Sequence, residues 1–184
     1  MGAYPLAAAF AAVEDDETSW ASAARAGDRA AFGRLCDRHR RCVRGILLAR
    51  APRQELDDLA QEVFLRALRA LDTLRDATSF GPWLSAIARN VATDRLRRGP
   101  APNRLPDELP GGDPTDGQAT AILAEIRRLP ETYRETMMLR LVQGLTGPEI
   151  AAETGMTPGS VRVHLHRGMK LLREALQARG AHVG

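Results

Sequence analysis

Arg162, Val163, His166, Arg167 and Lys170 recur at a spacing that, at about 100° per residue, sets all five on one side of a helix. Guanidinium, imidazole and ammonium groups in a row are donors suited to the phosphates and base edges of a DNA major groove. No acidic residue interrupts the stretch from Pro158 to Arg173. A solvated basic face is the plain alternative, but this face follows directly on a glycine turn. His164 falls near its flank, a phosphate contact at most. Two other groupings invite chemistry. Asp57 and Asp58 are adjacent, so they do not share a helical face as an acid/base pair would. Cys36, His39 and Cys42 suggest a metal or thiol site. A Cys36–Cys42 bridge, however, would have to span about 9 Å of helical rise, beyond the roughly 7 Å limit between Cα atoms. The three side chains fan across a helix face instead of converging on a tetrahedron, and packing is the reading they support. Walker, H-E-x-x-H, G-x-S-x-G and Rossmann glycine patterns are absent from the sequence. The chain reads as a binding protein, not an enzyme, with no cofactor and no metal.

The basic face needs a helix with a defined start and a partner to rest on. Leu145-Thr-Gly-Pro-Glu-Ile-Ala-Ala-Glu-Thr-Gly-Met-Thr-Pro-Gly-Ser160 supplies both. Thr146 with Glu149 three residues on is a capping box. Gly155 offers the left-handed residue that closes the first helix. Thr157 then caps a second helix, with Pro158 at its first position, where a missing N–H costs nothing. This is a helix-turn-helix, the device that lays a helix in the major groove. Val161, Leu165, Gly168, Leu172 and Leu176 form the stripe expected to pack on the first helix of the pair.

Farther upstream, Leu56, Leu59, Ala60, Val63, Ala67 and Leu71 make a core stripe, with Phe64 and Leu68 at its margin. The opposite face carries Asp58, Gln61, Glu62 and Arg69 around Leu65. The residues alone leave two readings open: a small protein-contact surface, or a solvated face with one stray leucine.

Composition sets the frame. Lys and Arg number 26 against 23 acidic residues, a net charge of only +3, so bulk charge does not announce a nucleic-acid protein. Local charge does: Arg89, Arg95, Arg97, Arg98 and Arg104 form a run opposed there by Asp94 alone. Aromatic content of 4% with abundant Ala, Leu and Arg points to an all-α chain. Two cysteines make no disulfide framework. Tyr4 to Val13 is short and lacks a positive leader, and no apolar run reaches membrane-spanning length, so a cytoplasmic protein without membrane insertion is expected.

From Gly99 to Gln118, five prolines and four glycines break any regular element. The pattern predicts two small helical domains joined by a Pro/Gly-rich linker. They run over residues 18–98 and 119–179, with an extension at 1–17, the linker at 99–118 and a tail at 180–184. Helices are expected at about 18–26, 28–50, 53–72 and 80–98, then 118–128, 130–143, 147–154 and 158–178. Asp28 and Ser79 are the expected caps. The linker composition suggests domains free to change relative position.

Asp57-Asp-Leu-Ala-Gln-Glu-Val-Phe-Leu-Arg66 resembles the polymerase-binding segment of bacterial sigma factors of the extracytoplasmic-function (ECF) class. Phe80-Gly-Pro-Trp-Leu-Ser-Ala-Ile-Ala-Arg-Asn-Val-Ala-Thr-Asp-Arg-Leu-Arg-Arg98 resembles their promoter-melting helix. Leu129-Pro-Glu-Thr-Tyr-Arg-Glu-Thr-Met-Met-Leu-Arg-Leu141, with the helix-turn-helix after it, resembles their minus-35-reading domain. The three stand in the family's order from about Trp20 to Leu176. The resemblance implies that Asp57, Asp58, Gln61, Glu62 and Leu65 dock on core RNA polymerase. It implies that the loop Arg75, Asp76, Ala77, Thr78, Ser79 and Phe80 clasps a flipped base of the minus-10 element. Asn90 would line that pocket, and Arg89, Thr93, Arg97 and Arg98 would hold the melted strand. Ser160, Arg162, Val163, His166, Arg167 and Lys170 would meet the double-stranded minus-35 element. Core polymerase, promoter DNA and an anti-sigma factor are the implied partners. Two other readings stand beside this one. One is a helix-turn-helix regulator with a helical ligand or dimerisation module. The other is a thiol or metal sensor using Cys36, His39 and Cys42.

Overall fold

Helix caps written into the sequence set the element boundaries. The computed structural model describes residues 16–99 and 114–180. The N-terminal extension to residue 15, residues 100–113 with Arg104, and the tail from 181 lie outside the described residues. Helix α1 covers 16–25. The Asp28 carboxylate then accepts from the backbone N–H of Ala30 at 2.8 Å and Ala31 at 3.1 Å, opening α2 (Arg29–Leu48) as the sequence predicts. A 3-10 turn at Arg53–Glu55 leads into α3 (Leu56–Arg69), and α4 spans Phe80–Arg97. Leu35, Val43 and Ile46 of α2, Val63 of α3, and Leu84, Ala88 and Val91 of α4 are buried together. Full burial of each larger aliphatic side chain contributes about 1.5–3 kcal/mol. Ser79 does not cap α4 with its side chain. Asp76 does that work one turn earlier, accepting from the Thr78 N–H at 2.9 Å to shape the turn Ala77–Ser79.

The second unit comprises α5 (Pro114–Arg128), α6 (Glu131–Met137), α7 (Gly147–Thr154) and α8 (Pro158–Gly180). Helix α5 begins at Pro114, inside the stretch read as linker. A proline in the first turn sacrifices no intrahelical bond, so the last proline of the run starts a helix instead of preventing one. The expected single helix over 130–143 instead changes at Met138 to a π-type turn, Met138–Val142. Gly144 (φ +70°) and Leu145 follow, the Leu145 N–H donating to the Leu139 carbonyl at 2.9 Å. Of the stripe on α8, Val161, Gly168 and Leu172 are buried and Leu165 and Leu176 half-buried, and their main support is α6, not α7 alone. A Cβ on Gly168 would stand 2.7 Å from Met137 Cγ, so glycine is what lets α8 approach α6.

The two units share one apolar core, unlike freely reorienting domains. Leu139 lies on Gly45 of α2, where an added Cβ would come within 2.6 Å of Leu139 Cδ2. Gly81, at the start of α4, lies under Ala152 and Glu153 of α7, and Pro82 packs against Gly155. Polar contacts surround this seam. Ser85 Oγ donates to the Glu153 carbonyl at 2.6 Å, and Arg127 donates to the carbonyls of Leu48 at 3.2 Å and Ala51 at 2.9 Å. Arg41 donates to the Gln143 carbonyl.

Candidate nucleic-acid interface

The helix-turn-helix is built by the caps read in the sequence. Thr146 Oγ1 accepts from the Glu149 N–H at 3.4 Å, and a Glu149 carboxylate oxygen accepts from the Thr146 N–H at 2.6 Å. Gly155 turns the chain at φ +74°. Thr157 Oγ1 then accepts from the Ser160 N–H at 3.1 Å, opening α8. Arg162, Val163, His166, Arg167 and Lys170 are all exposed. Exposed Ser160 also exchanges a 2.8 Å hydroxyl hydrogen bond with Thr157, within the cap. His164 departs from its expected phosphate role: its ring meets Tyr133 edge-on at 5.6 Å, and its Nδ1 is buried with no hydrogen-bond partner among the described residues.

On the first unit, Arg75, Asp76, Thr78 and Ser79 are exposed and Ala77 is half-buried. Hydrogen bonding to Thr78 holds the Asp76 carboxyl below its usual range. Phe80 corrects the expectation. It is completely buried, its ring 5.1 Å from His39 and 5.6 Å from Trp83, so it anchors the loop and offers no face to a base. An aromatic on the apolar side of a five-turn helix is drawn inward by its own burial.

Asn90, Thr93, Arg97 and Arg98 are exposed on α4. The Thr93 hydroxyl donates to the Arg89 carbonyl at 2.8 Å, and Arg97 pairs with Asp94. The basic run is also neutralised from elsewhere, contrary to the expectation of Asp94 alone. Arg95 pairs with Glu55, while Asp94 is shared with Arg66 at 2.9 Å. Arg89 is the most constrained. Its Nη2 donates to Glu135 Oε1 at 2.8 Å and its Nε to both carboxylate oxygens at 3.1 Å, while Arg50 donates to the same carboxylate at 2.8 Å. Burial works against the Glu135 charge, but Arg89 and Arg50 overcome it and hold the carboxyl below its usual range. Burial likewise opposes the Arg89 charge, and Glu135 pushes its pKa up instead.

The α3 face is as the sequence draws it. Asp57, Asp58, Gln61 and Leu65 are exposed, Leu65 at 45%. Asp57 pairs with Arg44, and half-buried Glu62 pairs with Arg66 at 2.5 Å. A shallow groove runs beside this face, with Phe32, Cys36, Arg40 and Arg44 of α2 along its second wall and Phe64 and Leu68 continuing the first. The α2 wall escaped sequence reasoning, although its i, i+4 spacing was there to be read.

The sensor reading of Cys36, His39 and Cys42 finds no support. Burial and neighbouring Asp37 push the Cys36 thiol up to about 11, and burial pushes Cys42 higher still than an ordinary thiol. Both thiols are therefore poor nucleophiles. Among the described residues no cluster could hold a metal ion. His39 has another role. It is 2% exposed, with Nδ1 2.7 Å from Glu153 Oε2 and Nε2 3.1 Å from Glu17 Oε1, so it ties α1, α2 and α7 together.

Residues 35–99 match the family model of Sigma-70 region 2, and residues 119–172 match that of Sigma-70, region 4. The chain is 33% identical over 165 residues to RNA polymerase sigma factor CarQ of Myxococcus xanthus, covering 83% of this chain and 92% of CarQ. It is 31% identical over 189 residues to RNA polymerase sigma factor CnrH of Cupriavidus metallidurans, covering 90% of this chain and 96% of CnrH. The structure of CnrH in complex with the cytosolic domain of CnrY superposes with a TM-score of 0.66 at 25% identity, covering 89% of this chain and 98% of that one. The chain belongs to the ECF family of RNA polymerase sigma factors. It works in transcription initiation, with core RNA polymerase and promoter DNA as its partners. No described helix is long and apolar enough to cross a membrane.

Proposed function

We propose that residues 18–98 bind core polymerase and capture the minus-10 element, and that residues 119–179 read the minus-35 element. Asp57, Asp58, Gln61, Glu62 and Leu65 are the docking residues. Arg75, Asp76, Ala77, Thr78 and Ser79 form the base-clasping loop, with Phe80 as its internal anchor. Asn90 lines the pocket, while Arg89, Thr93, Arg97 and Arg98 follow the melted strand. Ser160, Arg162, Val163, His166, Arg167 and Lys170 face the upstream duplex. The protein acts in the cytoplasm, catalyses no reaction itself, and is restrained by an anti-sigma factor.

One observation carries this assignment: α3 completes its core stripe while turning Asp58, Gln61 and Leu65 to solvent. An exposed leucine ringed by acids and an amide has no use within the fold, whereas it suits a protein partner. Run-off transcription with purified core polymerase on a library of promoter fragments tests the whole reading. Discrete start sites that depend on the added protein are expected. Absence of both core binding and start sites would overturn it.

A further inference from the structure

Melting DNA leaves unstacked bases whose apolar faces need cover, and an aromatic side chain is the usual cover. Among the described residues no aromatic is exposed. Phe80 is wholly buried, and half-buried Trp83 packs against it with 5.6 Å between ring centroids. The most exposed large apolar side chain among the described residues is Leu96, at 58%, in the last turn of α4. Its register matters as much as its exposure. Arg89, Thr93 and Leu96 stand at i, i+4 and i+7, one row along the helix. Leu96 thus continues the face assigned to the melted strand. Exposed Arg97 and Arg98 follow it directly, so the charge around the leucine favours a polyanion.

Leu96 is also held in place. Arg95 beside it turns the other way, its Nη2 donating to Glu55 Oε1 at 2.6 Å and its Nη1 to the Gly99 carbonyl. Glu55 is itself buried where α3 begins. The Gly99 N–H closes the turn on the Leu96 carbonyl at 3.2 Å. An apolar side chain fixed on a rigid helix end loses little freedom when it meets a ligand. Leucine is among the wedges that part base steps in DNA-bending proteins.

We propose that Leu96 is a further strand-contact residue, whose side chain packs against an unstacked base of the melted strand and covers the face that base loses on leaving the duplex. The proposal rests on the assignment of α4 to strand capture. From Arg89 to Leu96 the helix rises about 10 Å, a length that about three nucleotides span along one strand. The base covered by Leu96 therefore lies about three positions from the phosphate at Arg89.

Leu96→Ala keeps a good helix former at an exposed position, so circular dichroism and the melting temperature should stay nearly unchanged. Polymerase reconstituted with each full-length variant is titrated with labelled forked DNA, copied from a promoter recovered in the run-off assay. The fork is double-stranded upstream and carries only the non-template strand across the minus-10 element. A series of such forks has one abasic nucleotide at each single-stranded position in turn. Leu96→Ala should bind the intact fork about tenfold more weakly, the scale of burying a leucine side chain. Among the abasic positions that weaken wild-type binding, one should cease to matter in Leu96→Ala, as expected when protein and base lose the same contact. Leu96→Met should behave as wild type. A leucine acting only through the fold would weaken every fork alike and preserve each abasic penalty. A leucine covered by polymerase would do the same and lower core affinity. Either pattern, or intact-fork binding by Leu96→Ala equal to wild type, would overturn the proposal. Failure of the underlying assignment looks different: Asn90→Ala and Arg97→Ala would also leave fork binding undiminished.

Discussion

Burial alone would strip the proton from His39, but Glu153 and Glu17 on either side of the ring outweigh it and raise its pKa to about 9. Three helices face the ring: α1 brings Glu17, which also pairs with Arg38, α7 brings Glu153, and α4 brings the uncharged Phe80. Because the folded value exceeds the ordinary 6.5, the stabilisation is complete below pH 6.5 and disappears as pH rises through about 9. The difference corresponds to on the order of 3 kcal/mol. The wild-type melting temperature should therefore fall between pH 6.5 and 9.5, and His39→Gln should be less stable at neutral pH and lack this alkaline fall. A wild-type melting temperature that stays flat across that range would refute the ionic role. At the DNA surface, single residues separate by the kind of contact they make. Arg162→Ala or Arg167→Ala should cost about 1–3 kcal/mol at a bidentate base contact and relax preference at one position. Lys170→Ala should weaken every minus-35 duplex alike and flatten the salt dependence. Electrophoretic titration of promoter variants with the holoenzyme distinguishes these patterns, and undiminished binding by the Arg162, Arg167 double alanine variant would remove α8 from the readout. Such outward residues were legible because a helix wheel needs only the sequence. The bonds of His39 were not, because Glu153 lies 114 positions away.

Elements whose ends are fixed by neighbouring residues are the ones the sequence foretells. Asp28, Thr146, Glu149, Gly155 and Thr157 act within a few residues of themselves, and each performs its expected capping or turning role. Thr146→Ala should cost about 1 kcal/mol by removing the α7 cap, seen as a lower denaturation midpoint at unchanged cooperativity. Where local and distant demands compete, the prediction slips. The change at Met138 follows from full burial of Met137, Met138 and Leu139 in succession, which a regular amphipathic helix resting on one neighbour would not require. Phe80 stands where the clasping loop meets the core face of α4, and burial decides in favour of the core. Helix α3 meets no such competition, so its outer face can be tested alone. Asp58→Arg or Leu65→Arg should weaken core-polymerase binding by several kcal/mol while leaving circular dichroism unchanged. Intact core affinity with both substitutions present would sink the docking assignment.

At the scale of the molecule, the division into two helical units could be read from the Pro/Gly stretch, but their mutual packing could not. Gly45 reads as an ordinary helical glycine until Leu139, far along the chain, is set against it. The carboxylates that neutralise Arg89 and Arg95 come from Glu135 and Glu55, neither of them in the basic run. Limited proteolysis should cut first between Pro100 and Asp113, where the composition is least compatible with packing. The shared core then predicts that the two fragments co-elute on gel filtration at low salt. Fragments that separate at once would show the seam to be too weak to persist. Glu135 has one further effect, on counterions. A carboxylate parted from its guanidinium gathers a cation, and that uptake offsets the cation a strand phosphate sheds when Arg89 meets it. Each phosphate contact on a single strand ordinarily contributes about 0.7 to the logarithmic salt slope. Arg89 should contribute less than that in the wild-type protein and its full share in Glu135→Gln. Added salt thus acts in two opposing directions, loosening the grip on DNA while freeing the arginine that grips it.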